Sequence, residues 1–503
     1  MTIAERNLTS IVIVGGGTAG WISAAVLSHV LQGANFKVTL IESPDIPTIG
    51  VGEATIPSFV DLLRFLRISE LDFIEKTGAT YKLGIKFVDW LKLGHHYWHP
   101  FGMVGSKIDG RDFYHYWLKN RIETGKFEFT DFSPAIALAK TNRFFIPDPA
   151  RPTNLSKSAY ALHFDASLTA AYFSEYAQGK GVRYISSNVD EVAQFPDGSI
   201  SELKLQNGES ISADFYIDCS GQRGLLIGKT LRVSYLDWQE YLPVNSAAVL
   251  QTETEGELQP FTESIAHEHG WRWRIPLQAR TGNGYVFCKE FASDQDAIDL
   301  LVRNVKGSHV NTPRILRFNT GKRKKIWHKN CLAVGLSSGF LEPLESTSIY
   351  LAMKGILNFI QMFPNKRLDQ VTIDEYNRLM DIEYECIRDF IVLHYCVTER
   401  RDSPFWRMWQ YLAIPESLKT KLSLFKSQGR LMRNEKDLFA SDSWYSVLEG
   451  MGVRPNGYDP LIDSSDFSKV KMILEDSFKA LEASAARAPT HSEFIKRALN
   501  SRV

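Results

Sequence analysis

"SIVIVGGGTAGWISAAVLSHVL", residues 10–31, is the stretch from which the architecture can be built outward. Ile11 to Val14 form a short apolar run stopped by glycines, which predicts a buried strand. Beyond the glycines the apolar residues recur at helical spacing. Gly15, Gly17 and Gly20 fit GxGxxG: the first permits a tight turn, the second lets backbone approach a pyrophosphate, and the third lets helix and strand pack closely. The helix entry, with Thr18 and Ala19, then turns unpaired N–H groups toward the phosphate. A second apolar strand, "FKVTLIE", ends in Glu42, where an acid can accept from ribose hydroxyls. This strand, turn, helix, strand and acid predict a dinucleotide site, and leave FAD and NAD both open.

Two later segments favour FAD. "ADFYIDCSGQRG" (213–224) is an apolar strand running into Ser220, Gly221 and Arg223. "KNCLAVGLSSGFLEPLESTSIYLAMKG" (329–355) is a strand, a turn holding Gly335 and Leu336, and a helix. FAD oxidoreductases return to the nucleotide in this way; ordinary sheet strands with turns are the alternative. There is no second dinucleotide turn for NAD(P)H.

The 503 residues are enough for two to four units or one elaborated domain. Lys plus Arg and Asp plus Glu are 58 each, so no global basic field attracts nucleic acid or anionic lipid. No apolar run reaches membrane-spanning length or makes a signal h-region, and a cytoplasmic protein with no membrane partner is expected. The five cysteines are scattered without a CxxC pair, which argues against disulfides or a zinc knuckle. "GHHYWHPFG" (94–102) holds three histidines, but its interleaved aromatics suit a pocket wall better than a metal site. In "GWRWRIP" (270–276), a strand places Trp271, Trp273 and Ile275 on one face and Arg272 and Arg274 on the other, until Pro276 ends the pairing.

Taken together, GxGxxGW at Gly15 to Trp21, "PTIGVGEATIP" (47–57), "ALHFDA" (161–166), WxWxIP at Trp271 to Pro276 and "FLEPLEST" (340–347) resemble the flavin-dependent tryptophan halogenase family over nearly the whole chain. The resemblance implies an α/β fold: an FAD-binding Rossmann-like box over residues 1–355, with a substrate-lining insertion at about 90–155, and a mainly helical cap over 356–503. It implies FAD, used as FADH2, with chloride or bromide as co-substrate, and a separate NAD(P)H-dependent flavin reductase as partner. Gly52, Glu53, Ala54, Trp271 and Trp273 join the nucleotide segments around the flavin.

In such enzymes hypohalous acid forms at the flavin and travels through a tunnel to a lysine that holds it beside an aromatic carbon. Lys82 in "GATYKLGIKFVDW" matches that lysine, with Lys86 taken as structural. Glu345 matches the glutamate that positions the oxidant or accepts the ring proton, and Glu342 is set aside as its decoy. A carboxylate beside an ammonium is expected to hold both charged. The resemblance implies that backbone N–H groups at Thr347 and Ser348 hold halide, the latter where the family usually carries glycine, so halide preference is open. His99, Pro100, Phe101 and Ser346 align with substrate-lining positions.

The YYxxFEEEFxxFW-like stretch that grips free tryptophan is absent from "RLMRNEKDLFASDSWYSVLEGMG" (430–452), so indole or a derivative is the expected substrate. Trp406, Trp409 and Tyr411 are assigned to the core of the cap. A monomer or homodimer is expected. The alternatives are a flavin-dependent aromatic hydroxylase and a flavin-binding protein without halogenase activity.

Overall fold

The computed structural model describes residues 7–46, 52–432 and 437–501. Positions 47–51 of the "PTIGVGEATIP" segment and 433–436 of the 430–452 stretch lie outside the described residues.

The opening motif folds as its pattern predicts, with a Ser10–Val14 strand and a Thr18–Val30 helix. The strand is central in a six-stranded sheet. Its neighbours, all parallel, are Phe215–Asp218 on one side and Lys37–Glu42 then Arg183–Ser186 on the other. Cys331–Ala333 continues the sheet in parallel beyond Phe215–Asp218, and Trp327–His328 closes it antiparallel. Parallel strands need helical crossovers and are buried on both faces, which explains the unbroken apolar run at Ile11–Val14 and the burial of all four residues from Val38 to Ile41, Thr39 included.

A seven-stranded sheet carries the tryptophans. Its order is Arg314–Arg317, Ser246–Glu253, Arg280–Phe287, Gly270–Pro276, Thr262–His267, Gly84–Val88 and His96–Pro100. The Gly270–Pro276 strand pairs with Arg280–Phe287 as far as Pro276, and Leu277 N–H donates to Arg280 to close the hairpin. Trp271 and Trp273 are both buried, with ring centroids 6.1 Å apart. Gly284 makes the room: a Cβ there would stand 2.0 Å from the Trp273 ring.

A small three-stranded sheet joins the two systems. Ala161–Asp165, from the "ALHFDA" motif, lies between Gly52–Ala54 and Thr80–Lys82, so three separated motifs share one antiparallel ladder.

Beyond the nucleotide sheet the chain is mainly helical. The Ser348–Gln361 helix runs unbroken across position 355, and the 27-residue Gln370–Cys396 helix follows it. Trp406 and Trp409 are core residues, Trp409 stacking on Tyr395 at 3.9 Å. Tyr411 is not: it is 85% exposed, because the Pro404–Met408 helix has ended and the chain turns away from the core. Among the described residues no helix is long and apolar enough to cross a membrane.

Candidate active site

Three strand ends meet at the glycine turn. Gly15 N–H donates to Ile41 (2.8 Å), Cys219 N–H to Val14 (2.8 Å) and Val334 N–H to Asp218 (2.9 Å). Asp218 organises the second return segment, one carboxylate oxygen accepting from Ser220 and the other from the backbone N–H groups of Leu226 and Ile227. Gly335, at φ +73°, approaches Ala19 so closely that a Cβ would lie 2.7 Å from the Ala19 methyl. With Leu336 it forms the short 3-10 turn facing the helix entry.

The glycines divide by what surrounds them. A Cβ at Gly15 would meet the Cys219 carbonyl at 2.1 Å, and one at Gly20 the Gly15 carbonyl at 1.9 Å. A Cβ on Gly16 would strike the Glu42 carboxyl at 2.1 Å. At Gly17 nothing lies within 4 Å. The Thr18–Val30 helix therefore opens onto free space, with no side-chain cap and no acid in its first turn. That is the geometry an anionic pyrophosphate needs. Glu42, at the end of its strand and partly buried, has its carboxyl pushed upward by burial, which a Tyr184 hydrogen bond partly offsets. The residues fit a bound dinucleotide.

The second cluster lies where the small sheet meets the turn after "FLEP". Lys82 is 0% exposed, and its ammonium donates to the Thr55 carbonyl (3.0 Å) and to Ser346 Oγ (3.0 Å), lying 5.0 Å from the Phe101 ring centroid. Burial lowers the Lys82 ammonium from 10.5 to about 7, against an upward pull from Glu345. Ser346 sits at φ +58°, a left-handed conformation rarely adopted by non-glycine residues, and this carries the chain from the Pro343–Glu345 turn into the Ser348–Gln361 helix. Thr347 precedes that helix without a side-chain cap, and no acid stands in the helix's first turn.

Glu345 points elsewhere. Its Oε2 accepts from His99 Nδ1 at 2.8 Å, and His394 Nε2 lies 3.0 Å from Oε1, with all three side chains at 2% exposure or less. Burial pushes the carboxyl up, yet His99 and His394 outweigh it and hold Glu345 at about 2. The expectation that lysine and glutamate hold each other charged is thus not met: the imidazoles ionise Glu345, and the upward pull of Glu345 on Lys82 does not overcome burial.

His394, inside the apolar run "FIVLHY", gave no local signal beyond a polar residue among core positions. His99 also borders an aromatic wall that the sequence did not reveal. Phe390 and Phe439 have ring centroids 5.4 and 6.0 Å from it, and Trp444 packs against Phe390 at 4.9 Å. Pro100 ends the same strand and Phe101 follows it, both buried.

A hydrogen-bonded chain ties this strand system to the tryptophans. Thr80 Oγ1 donates to the Pro276 carbonyl (2.7 Å), so His163 Nδ1 must donate to Thr80 (3.2 Å), and His163 Nε2 accepts from Thr262 (2.9 Å). Lys82 therefore has a fixed position relative to the Trp271–Trp273 strand. Glu53, partly buried in the same small sheet, has its carboxyl raised to about 7 by desolvation. Lys86 lies 5.8 Å from the Trp98 ring, away from this cluster. His95 and His96 line a separate cleft of about 550 Å³ with Lys92 and Arg454. Among the described residues no group of three or more His, Cys, Asp or Glu could hold a metal ion.

The arrangement is thus a nucleotide cradle on one sheet and a buried lysine on another, with an ionised glutamate in the turn whose next residue, Ser346, binds that lysine. The chain as a whole is similar to known proteins. The family model described as tryptophan halogenase matches residues 10–466. The tryptophan 7-halogenase RebH of Lentzea aerocolonigenes is 32% identical over 492 residues, covering 90% of this chain and 91% of the relative. Among solved structures, the flavin-dependent halogenase BrvH from Brevundimonas sp. BAL3 is 38% identical with a TM-score of 0.94, over 97% of this chain and 99% of that one. Xcc4156, a flavin-dependent halogenase from Xanthomonas campestris, is 41% identical with a TM-score of 0.94, over 98% and 99%. A family model matching residues 10–466, with relatives of this identity over nearly the full length of both chains, has one consequence: the chain belongs to the tryptophan halogenase family and is a flavin-dependent halogenase.

Proposed function

We propose that the chain makes hypohalous acid at bound FAD and delivers it through the protein to Lys82, for electrophilic bromination or chlorination of an electron-rich aromatic such as indole or an indole derivative. FADH2 comes from a separate NAD(P)H-dependent reductase. The cofactor's contribution is to turn oxygen and halide into hypohalous acid. The Gly15–Gly20 turn and helix entry bind its pyrophosphate, Glu42 its ribose, and the 52–54 and 335–336 segments with Trp271 and Trp273 enclose the rest. Thr347 and Ser348 N–H groups hold halide.

At the far end, Lys82 donates a hydrogen bond to the oxygen of the oxidant, which polarises the O–X bond. The ring carbon takes X, the O–X bond breaks, and the departing hydroxide takes a proton from the Lys82 ammonium to leave as water. The Glu345 carboxylate accepts the ring proton and later returns it to Lys82, so both groups are reset. A lysine lowered to about 7 suits this, because its proton transfers at neutral pH at little cost. Ser346 orients the ammonium, while His99, Pro100, Phe101 and the Phe390–Phe439 wall hold an aromatic ring and exclude water.

The observation carrying this reading is a fully buried Lys82 bonded to Ser346, next to a Glu345 held ionised at the same turn. Two curated relatives are named tryptophan 7-halogenase and tryptophan 6-halogenase. The missing aromatic and acidic stretch in 430–452 favours a substrate without the amino-acid group. The test is purified protein with FAD, a flavin reductase, NADH and bromide against indole, tryptophan and phenols, read by mass spectrometry. Brominated indole is expected. Oxygenated product at equal yield in halide-free buffer would identify a hydroxylase instead.

A further inference from the structure

Two buried carboxyls, Glu342 and Glu345, bracket the same short turn in opposite surroundings. Glu345 faces two imidazoles. Glu342 faces two neutral donors, and both approach the same oxygen: Oε2 accepts from the Tyr395 hydroxyl at 2.7 Å and lies 3.4 Å from Trp271 Nε1. Its other oxygen, Oε1, is buried and has no partner in the protein.

No cation pairs with Glu342 among the described residues, so an ionised form would be a lone buried charge, which is strongly disfavoured. Glu342 therefore carries a proton. Since Oε2 is occupied by incoming hydrogens, that proton belongs on Oε1. A buried O–H with no acceptor is itself costly, and such groups are met by a water or a ligand. Desolvation raises this carboxyl to about 8, in agreement with the geometry. Neighbouring carboxyls whose surroundings push them apart divide into an acid and a base. The tryptophan bonded to Glu342 belongs to the strand that the Thr80–His163 chain ties to Lys82.

We infer that Glu342 is a neutral carboxylic acid whose Oε1–H donates a hydrogen bond to the oxygen of a small neutral molecule beside Trp271, water at rest and hypohalous acid on its way to Lys82. The second half rests on the function proposed above. No bond is made or broken at Glu342: it guides the oxidant and keeps it from leaking.

Two measurements decide this separately. In infrared difference spectra of the FAD-loaded protein, wild type minus Glu342→Gln, a protonated carboxyl C=O band at the position of a hydrogen-bonded acid is expected at neutral pH, fading as pH rises through about 8. Absence of that band, or a position typical of an unbonded acid, overturns the inference whatever the protein catalyses. In turnover with bromide and indole, Glu342→Leu should raise the share of oxidant caught by an external trap about tenfold, the scale of one hydrogen bond. Glu342→Gln keeps a donor at that position and should stay near wild type. Wild-type coupling in Glu342→Leu, or equal leakage in both variants, overturns the role in transit. A wild-type protein that yields neither trapped nor delivered oxidant would sink the proposed function, and the infrared result then decides the acid on its own.

Discussion

His99 Nδ1 lies 2.8 Å from Glu345 Oε2 in a pocket closed to water, and this contact does more to keep the carboxylate charged than the lysine nearby. His99 is the strongest opposing influence on a carboxyl that burial alone would raise. His99→Phe keeps an aromatic ring in place and removes the donor, leaving His394 to counter desolvation alone. The acid limb of the pH–rate profile should then move up by about one pH unit or more. Turnover at neutral pH should fall by roughly 10-fold or more as the base loses charge and orientation. An unmoved acid limb would show that Glu345 does not act as the base.

Lys82→Ala separates delivery from oxidant formation. Aromatic halogenation should disappear while hypohalous acid, read with a chemical trap, continues to be released, because the nucleotide cradle is on another sheet. Ser346→Ala removes one of the two hydrogen bonds that aim the ammonium and should cut coupled product by about tenfold. Full coupling in Ser346→Ala would mean that the Thr55 carbonyl alone orients Lys82.

The difference between legible and hidden parts of this site follows from the range over which each is determined. Ser10 to Glu42 is a local pattern, and a strand period giving way to a helix period at a glycine turn has few solutions, so strand, helix and acid all fall where the spacing put them. Lys82 and Glu345 could be picked out only through their motifs, since a lone lysine on a three-residue strand has no distinguishing period. His394, Phe390 and Phe439 are remote in sequence from His99 and share no motif with it, so only the packing of the Gln370–Cys396 helix against the His96–Pro100 strand reveals the contact. Glu342 and Glu345 look equivalent in "EPLES", and tertiary neighbours alone make one neutral and the other charged. Tyr411 failed for the converse reason: an aromatic near a helix end carries no mark of which way the chain turns next.

Gly17 and Gly20 should fail in different ways. Gly17 has φ −71° and open space where a side chain would go, so Gly17→Val should fold with a near-native melting temperature and yet bind FAD far more weakly, read by flavin fluorescence quenching. A Cβ at Gly20 would lie 1.9 Å from the Gly15 carbonyl, so Gly20→Ala must move the helix off the sheet and should lose about 1–3 kcal/mol of stability. Normal FAD affinity in Gly17→Val would move the pyrophosphate site elsewhere.

Lys82 also leaves a signature in stability that needs no cofactor or substrate. Its ammonium titrates at about 7 in the folded protein against an ordinary value of 10.5. Below about pH 7 folded and unfolded chains both hold the proton, and the folded state bears the full cost of burying it. Between about 7 and 10.5 the unfolded chain holds a proton that the folded chain has released, so stability rises with pH across that window. Lys82→Met keeps the length of the side chain and removes the charge. It should therefore be more stable than wild type at pH 6–7, on the order of 2 kcal/mol once the lost bonds to Thr55 and Ser346 are set against the relief of desolvation. That advantage should shrink as the pH approaches 10. Urea unfolding at a series of pH values gives both curves. Parallel curves would mean that Lys82 reaches water in the folded protein, and its ammonium would then give up a proton at neutral pH far less readily than the proposed delivery step needs.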